Sequence, residues 1–290
     1  MSALCHAPLP MHDINNARYF DASHRAKKIV PYVRHAAPCV MACAIIFHGH
    51  YNASVELKKK GFVTVPSFLI QGNHADKSEL AKWFDRHLLD RNSGKVVVKP
   101  TRAGSSIGVS VAYGVDDSLL KAIDIISEGI DDKVLIEVFL EGGCEFTAMV
   151  IDVGTDSQCD PVSLLPTEVE LCCKNDVNDD TLFTYRRKYL PTQQVAFHTP
   201  PRFPTDIIEH IRQGAALLFK CFKLREYARI DGWFLPSPAK LFSSSVNNCE
   251  YGNTKSGTII FTDINLISGM EQTSFMFQQA SKVPSNFLII

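Results

Sequence analysis

Between Lys95 and Ile151 the chain carries four short apolar segments, each ended by a turn or a helix start, and this run constrains the fold more than any other feature. Val96 to Val98 is β-branched and ends at Lys99-Pro100, as a buried strand does where proline withdraws a ladder donor. A glycine- and serine-rich loop, Thr101 to Gly108, leads to a second strand, Val109 to Tyr113. A helix is expected next, from a cap at Asp116 or Asp117, with Leu119, Ile123 and Ile126 on one face and Gly129 as its stop. Val134 to Phe139 and Glu145 to Ile151 are two more strands, separated by Glu141, Gly142 and Gly143.

Farther on, Thr205 opens the longest helical pattern: Ile207, Ile211, Ala215, Leu218 and Phe222 recur by threes and fours and form one apolar stripe. Two strands, Tyr227 to Leu235 and Ile259 to Asn265, close the domain. The 22 residues from Pro236 to Gly257, with Ser243, Ser244 and Ser245, read as a surface insertion. Lys174 to Asp180 is polar and acidic and reads as a mobile loop. Strands grouped apart from helices argue for an α+β fold rather than a regular parallel α/β repeat.

At 290 residues and 46% hydrophobic content the chain can bury a sizeable core, and its length suggests two domains. Thirty basic against 31 acidic residues leave a net charge of −1, so neither nucleic acid nor an anionic membrane surface is an expected partner. The apolar stretch Ala36 to Phe47 is shorter than the roughly 20 residues a membrane-spanning helix needs. Residues 1 to 50 hold two acids, Asp13 and Asp21, and read as a partly ordered extension rather than a transit peptide, because serine is scarce there. Nine cysteines without a regular framework suit free thiols in a reducing compartment such as the cytoplasm. A zinc site at Cys39, Cys43, His48 and His50 would have spacings that match no familiar ligand pattern.

Strand geometry then concentrates the chemistry. Period-two alternation puts Arg229 and Asp231 on one face while Ile230, Gly232 and Phe234 take the other. Asp263 and Asn265 share a face in the same way. If those strands are neighbours, two carboxylates and an amide oxygen form a hard ligand set suited to Mg²⁺, which draws its remaining ligands from water and substrate phosphates. Spacing alone leaves open two solvated charged faces instead. The glycine-serine loop offers amides and hydroxyls to phosphate, with Lys99 as a nearby cation, yet it carries neither a Walker nor a dinucleotide fingerprint. Alone, it reads as a turn, and Lys99 as a snorkelling surface residue. Glu137 and Glu145 could accept hydrogen bonds from a nucleoside, or be salt-bridged surface acids. Arg186, Arg187 and Lys188 are a solvated face or, beside a phosphate site, a closing lid.

Taken in order, Val98 to Gly108, Glu137 to Leu140 with Glu145 to Thr147, Arg187 to Tyr189, Ala228 to Asp231 and Asp263 to Ser274 resemble the D-alanine–D-alanine ligase family of ATP-grasp enzymes. The resemblance runs from near Gly61 to near Ala280. It implies an α+β ATP-grasp fold with a divergent or truncated segment at 1–47, a central subdomain at 48–140 and a C-terminal catalytic subdomain at 141–290 that carries the insertion 236–257. It implies ATP-dependent joining of two D-alanines through an acyl phosphate, for peptidoglycan, with two Mg²⁺ ions for which Mn²⁺ can substitute.

The same resemblance assigns roles. Lys99, Ser106 and Lys188 would meet the phosphates, and Glu137 with the Val138, Phe139 and Leu140 backbone would hold adenine. Glu145 would hold ribose, while Ser105 and Tyr189 would belong to the catalytic loop contact. Asp231, Asp263 and Asn265 would bind the metal ions and Arg229 would stabilise the oxyanion. Gly269 and Ser274 would hold the second substrate's carboxylate. The family's glycine-rich loop and ammonium-binding glutamate find no counterpart in 1–47. His50 falls where a second phosphate-binding lysine is usual, Ser268 where proline is usual and Asp263 where glutamate is commoner. Two readings follow: a ligase whose first half is supplied elsewhere, by another chain or within a homodimer, or a degenerate ATP-grasp domain that binds nucleotide without ligating. The insertion and the cysteines resemble plant or algal members, a resemblance that implies a plastid stroma as the alternative to the cytoplasm.

Overall fold

The computed structural model describes residues 50–72, 76–102, 107–155, 157–171, 195–236, 251–266 and 274–282. The readings made for 1–49, including the zinc reading, lie outside them, as do Ser105, Ser106, Lys188, Tyr189, Ser268, Gly269, the loop 174–180 and the basic triplet at 186–188.

The first sheet holds β1 (Ser67–Gln71), β2 (Lys95–Pro100), β3 (Ser110–Tyr113) and β4 (Lys133–Val138) in the order β1-β4-β2-β3, antiparallel throughout. Alternation gives it two unlike faces. Val96, Val98, Ala112, Val134 and Ile136 point toward α2 (Lys77–Arg86) and α3 (Gly114–Ser127), where they join Trp83 and Phe84 in a buried cluster. Lys95, Lys99 and Glu137 occupy the opposite face. Asp76 caps α2 by accepting from the Ser78 and Glu79 amides, which removes two orphan donors.

Helix α3 starts two residues before the expected caps. Gly114 turns the chain at φ +72°, and a Cβ there would lie 2.5 Å from the Asn92 carbonyl, so only glycine fits. Asp116 and Asp117 therefore sit in the first turn, where the helix dipole favours a negative charge. The buried stripe is Val115, Leu119, Ala122 and Ile125, while Ile123 is 51% exposed, against the expectation. Ala122 faces the sheet, and Ile123, about 100° farther round the helix, therefore faces outward.

The second sheet runs β10 (Asn253–Thr254), β11 (Gly257–Asn265), β9 (Tyr227–Leu235), β5 (Cys144–Asp152), β7 (Thr167–Leu171) and β8 (Val195–His198), with β6 (Pro161–Ser163) on the free part of β5. On one face α4 (Thr205–Cys221) packs Ile207, Ile211, Ala215 and Leu218 against Phe146, Ala148, Ile230 and Phe261. Gly214 permits that approach, because a Cβ there would meet the Phe261 ring at 2.7 Å. Truncating a fully buried ring such as Phe261 to alanine costs about 3–5 kcal/mol, so this layer carries much of the stability. Leu57 of α1 (His50–Lys59) and the adjoining Phe62 belong to the same cluster. On the other face α5 (Phe275–Ala280) places Met276 and Ala280 against Met149, Ile151 and Tyr227. Leu235 and Ile260 reach into the first sheet's cluster and tie the two layers together.

The expected insertion is shorter than 236–257. Residues 237–250 lie outside the described set, but Tyr251 bridges to Phe62, with ring centroids 5.1 Å apart, and Asn253–Thr254 forms the edge strand on β11. The apolar contact with Phe62 and the ladder bonds draw this end of the segment into the fold. Among the described residues no helix is long and apolar enough to cross a membrane.

Candidate functional site

Strand β9 lies between β11 and β5, and its register builds the first group of residues. Asp231 stands directly opposite Asp263 on β11 and opposite Thr147 on β5, while Arg229 stands opposite Asn265. A bulge between Phe261 and Asp263 resets the β11 register before it reaches the site. All of these side chains share the face away from α4, as period-two spacing requires.

The Asp231 carboxylate is the hub. Its Oδ1 accepts from the Thr147 hydroxyl at 2.6 Å and from Arg229 Nε at 3.0 Å. Its Oδ2 accepts from Arg229 Nη2 at 3.0 Å and from Asn265 Nδ2 at 2.9 Å. Because the Asn265 amide nitrogen is committed to Asp231, its carbonyl oxygen is directed elsewhere. The Asp263 carboxylate accepts from the Ile264 amide at 3.0 Å. Thr147, which pins Asp231, was not assigned a role from sequence; its place two residues after Glu145 puts both on one face of β5, but nothing local reveals that Asp231, 84 residues away, is its partner.

A second group lies on the first sheet. Lys99 is inside β2, paired with Leu135, and its ammonium meets Glu137 at 2.7 Å with both side chains largely buried, at 15% and 13% exposure. This corrects the reading of Lys99 as a snorkelling surface cation and of Glu137 as a surface acid: the shared sheet face buries both, and burial requires that they pair. Beyond Glu137 the chain passes to the second sheet through Val138, Phe139 and Leu140. The Val138 amide donates to the Pro66 carbonyl and the Phe139 amide to the Lys95 carbonyl, while the Leu140 amide has no bond among the described residues. The Lys95 ammonium sits 4.0 Å from the Phe139 ring centroid, a cation–π contact that fixes the ring.

Ser274 precedes α5 in extended geometry and makes no side-chain capping bond, and among the described residues its buried Oγ has no partner. The structure thus brings together Arg229, Asp231, Asp263 and Asn265, and separately Lys99 with Glu137. Glu145 stands on the first group's strand.

Sequence reading also missed Asp131, which lies in the turn before β4. It accepts from the Thr101 hydroxyl, from the Arg102 amide and from the Arg102 guanidinium. Burial pushes its carboxyl up, but those hydrogen bonds prevail and hold it well below the usual carboxylate range. It fixes Thr101 and Arg102 at the end of β2.

A family model described as D-ala D-ala ligase C-terminus matches residues 57–250. Among curated proteins, the D-alanine–D-alanine ligase of Acetivibrio thermocellus is 31% identical over 158 residues, covering 54% of this chain and 38% of that protein. That of Bifidobacterium animalis subsp. lactis is 26% identical over 258 residues, covering 87% and 61%. Among solved structures, the ligase from Bacillus anthracis aligns with TM-score 0.56 at 20% identity, over 82% of this chain and 62% of that one. The same enzyme complexed with ATP aligns with TM-score 0.54 at 19% identity, again over 82% and 62%. VanG D-Ala:D-Ser ligase from Enterococcus faecalis aligns with TM-score 0.57 at 18% identity, over 82% and 61%. The structural likeness establishes the ATP-grasp fold, and the chain spans 38% to 62% of the length of these relatives.

Proposed function

The chain belongs to the D-alanine–D-alanine ligase family, and from that premise we propose that it binds ATP and joins two D-alanines through an acyl phosphate. The observation that carries this reading is the Arg229, Asp231, Asp263 and Asn265 group on adjacent strands. A carboxylate does not form an amide until one of its oxygens becomes a good leaving group. In the first step a carboxylate oxygen of one D-alanine attacks the γ-phosphorus and ADP leaves. In the second the amine of the other D-alanine attacks the acyl carbon, the new C–N bond forms, phosphate departs and the amine loses a proton.

The residues divide that work. Glu137 and the Leu140 amide offer an acceptor and a donor to adenine, and Glu145 an acceptor to ribose. Lys99 offers the phosphates a cation, which requires it to loosen from Glu137. Arg229, held by Asp231 along its Nε–Nη2 edge, is oriented to meet the charge that develops on the tetrahedral oxyanion. The Ser274 hydroxyl, which has no partner among the described residues, is offered to the second substrate's carboxylate. Ser105, Ser106, Lys188, Tyr189 and Gly269 are carried over to the phosphate and acceptor contacts on the resemblance alone.

Asp231, Asp263 and the Asn265 oxygen fit Mg²⁺. Among the described residues no three His, Cys, Asp or Glu side chains gather, so the set is two carboxylates and an amide, which leaves coordination to be completed by phosphates. When bound, Mg²⁺ neutralises charge on the phosphoryl oxygens. Asp231 becomes available to a cation only by exchanging one of its present donors, Arg229 or Asn265. The residues that capture the first D-alanine's ammonium are assigned to the part of the ligases beyond this chain's match, contributed by another segment or by a partner chain. A reducing, cytoplasmic setting accompanies this reading, in keeping with the free thiols of Cys144, Cys159 and Cys221.

The direct test is phosphate release from ATP with and without D-alanine, with D-serine as a competing acceptor. D-alanine-dependent release is the expected result. Nucleotide-induced stabilisation without such release would leave a binding module and reject ligation.

A further inference from the structure

Strand β5 has a gap in its ladder at the catalytic group. On its outer side it pairs with β7 only through Glu145–Thr147 and with β6 only through Val150–Asp152. Thr147 is the last residue of β5 paired with β7, opposite Thr167; beyond it Met149 has no strand partner, and although its carbonyl accepts from the Leu164 amide its own amide, buried at this depth, must be satisfied otherwise. Gln279 of α5 fills the gap. Its Oε1 accepts from the Met149 amide at 2.9 Å, and its Nε2 donates to the Thr147 carbonyl at 2.9 Å and to the Thr167 hydroxyl at 3.0 Å. The side chain is fully buried, and Thr167 continues the chain of bonds to Thr199 at 2.6 Å.

We propose that Gln279 is a positioning residue for the metal and oxyanion group: one side-chain amide stands in for the absent strand and fixes α5, the helix that Ser274 begins, to the residue that orients Asp231. Continuous bonds run from Gln279 to Thr147, from Thr147 to Asp231, and from Asp231 to Arg229 and Asn265. Thr147 can place its hydroxyl 2.6 Å from Asp231 only while its backbone is held, and on its outer side, where its ladder with β7 ends at Thr167, Gln279 bonds both its carbonyl and the Thr167 hydroxyl and so fixes the end of that ladder. The same amide sets how far α5 sits along β5, and so where the Ser274 hydroxyl lies relative to the metal ligands. The bonds stand by themselves; the role of what they position rests on the ligase reading.

The test uses the full chain and two readouts. Gln279→Leu removes the amide, whereas Gln279→Glu keeps the acceptor and regains a donor only when protonated. The groups touching the amide are two backbone groups and one hydroxyl, none of them titratable here; the nearest charge along the bonds is Asp231, itself paired with Arg229. The first readout is hydrogen exchange of the Met149 amide without ligand, and the second is the Mg²⁺ concentration that supports ATP binding, measured by titration calorimetry. In Gln279→Leu the Met149 amide is expected to exchange much faster while Ile230 on β9 stays protected. The Mg²⁺ requirement should rise roughly 10- to 100-fold, the range seen when a residue orienting a metal ligand is removed. Gln279→Glu should match wild type at acid pH and the leucine variant at alkaline pH, which also serves if Gln279→Leu does not fold. Fast Met149 exchange with an unchanged Mg²⁺ requirement, or a Gln279→Glu requirement that follows pH no more than wild type does, overturns the positioning role. Failure of wild type to bind ATP at any Mg²⁺ concentration overturns the nucleotide reading, and the positioning role with it.

Discussion

Asp131 and Asp231 are bound by nearly the same partners and have different consequences. Each accepts from a threonine hydroxyl and from the Nε and Nη2 of one arginine: Thr101 and Arg102 in one case, Thr147 and Arg229 in the other. They differ in what completes the set. Asp131 is closed by backbone amides, those of Arg102 and Lys133, and its side chain is 1% exposed. Asp231 is closed by a side chain, Asn265, faces a second carboxylate across the strand pair and is 20% exposed. Backbone donors cannot swing away, so the first arrangement only holds structure. Side-chain donors can be exchanged for a ligand, so the second can hold structure and then release it.

Breaking the second arrangement has the largest expected effect. Arg229→Ala should lower D-alanine-dependent turnover by about 10² to 10³, the usual loss for one oxyanion donor, while ATP affinity and melting temperature stay near wild type. Steady-state kinetics with parallel calorimetry decides this; equal loss of turnover and nucleotide binding in a folded protein would remove Arg229 from the oxyanion role. The mirror experiment is Asp131→Ala. It strands two part-buried backbone amides and a buried hydroxyl and should destabilise the fold by about 2 kcal/mol, discounted because Arg102 is half exposed. Turnover per folded molecule should remain that of wild type. If Asp131→Ala instead left stability intact and removed activity, the distinction drawn between backbone and side-chain closure would be wrong.

Sequence reading recovered the strands with sharp ends. Val96 to Val98 and Val134 to Phe139 lie within a residue or two of β2 and β4, because β-branched runs are ended by Pro100 and by the turn after Leu140. It also recovered which side chains share a face, since alternation is local: Arg229 with Asp231, Asp263 with Asn265. The strands ending at Leu235 and Asn265, expected side by side, are the paired β9 and β11, but the place of β5 beside β9 was not legible. Thr147 and Asp231 meet across a ladder that joins distant segments, and Gln279 reaches β5 from a six-residue helix without an amphipathic signature. Glu168 was hidden for another reason: an acid in a strand reads as outward-facing, yet it is 5% exposed because Arg202 bonds to it from beyond β8.

A smaller effect separates the two sheets. Lys99 and Glu137 neutralise each other one to one, with no further ion pair to either among the described residues, so a phosphate that takes Lys99 competes with that one carboxylate. Lys99→Ala should weaken ATP binding about tenfold, the equivalent of about 1.4 kcal/mol. Glu137→Gln, which frees the lysine but keeps a hydrogen-bonding side chain, should weaken it less. If the lysine variant binds ATP as wild type does, the first sheet's pair is structural, like Asp131.

The smallest change, and the one that isolates the charge of Asp131, appears in acid. Its folded pKa lies below the unfolded value near 3.9, so it binds fewer protons folded than unfolded in that window. The sign follows: its contribution to stability is complete above about pH 4 and is lost as pH falls from there toward the lower folded value. Asp152 and Glu168 are also lowered, their burial outweighed by backbone and arginine donors, and they give the wild type the same acid dependence. The stability difference between wild type and Asp131→Asn should therefore be constant from pH 7 to about pH 5 and shrink at pH 3, read from urea midpoints at each pH. A difference that stayed constant down to pH 3 would mean that Asp131 works through shape rather than charge, and the backbone donors around it would then need another account.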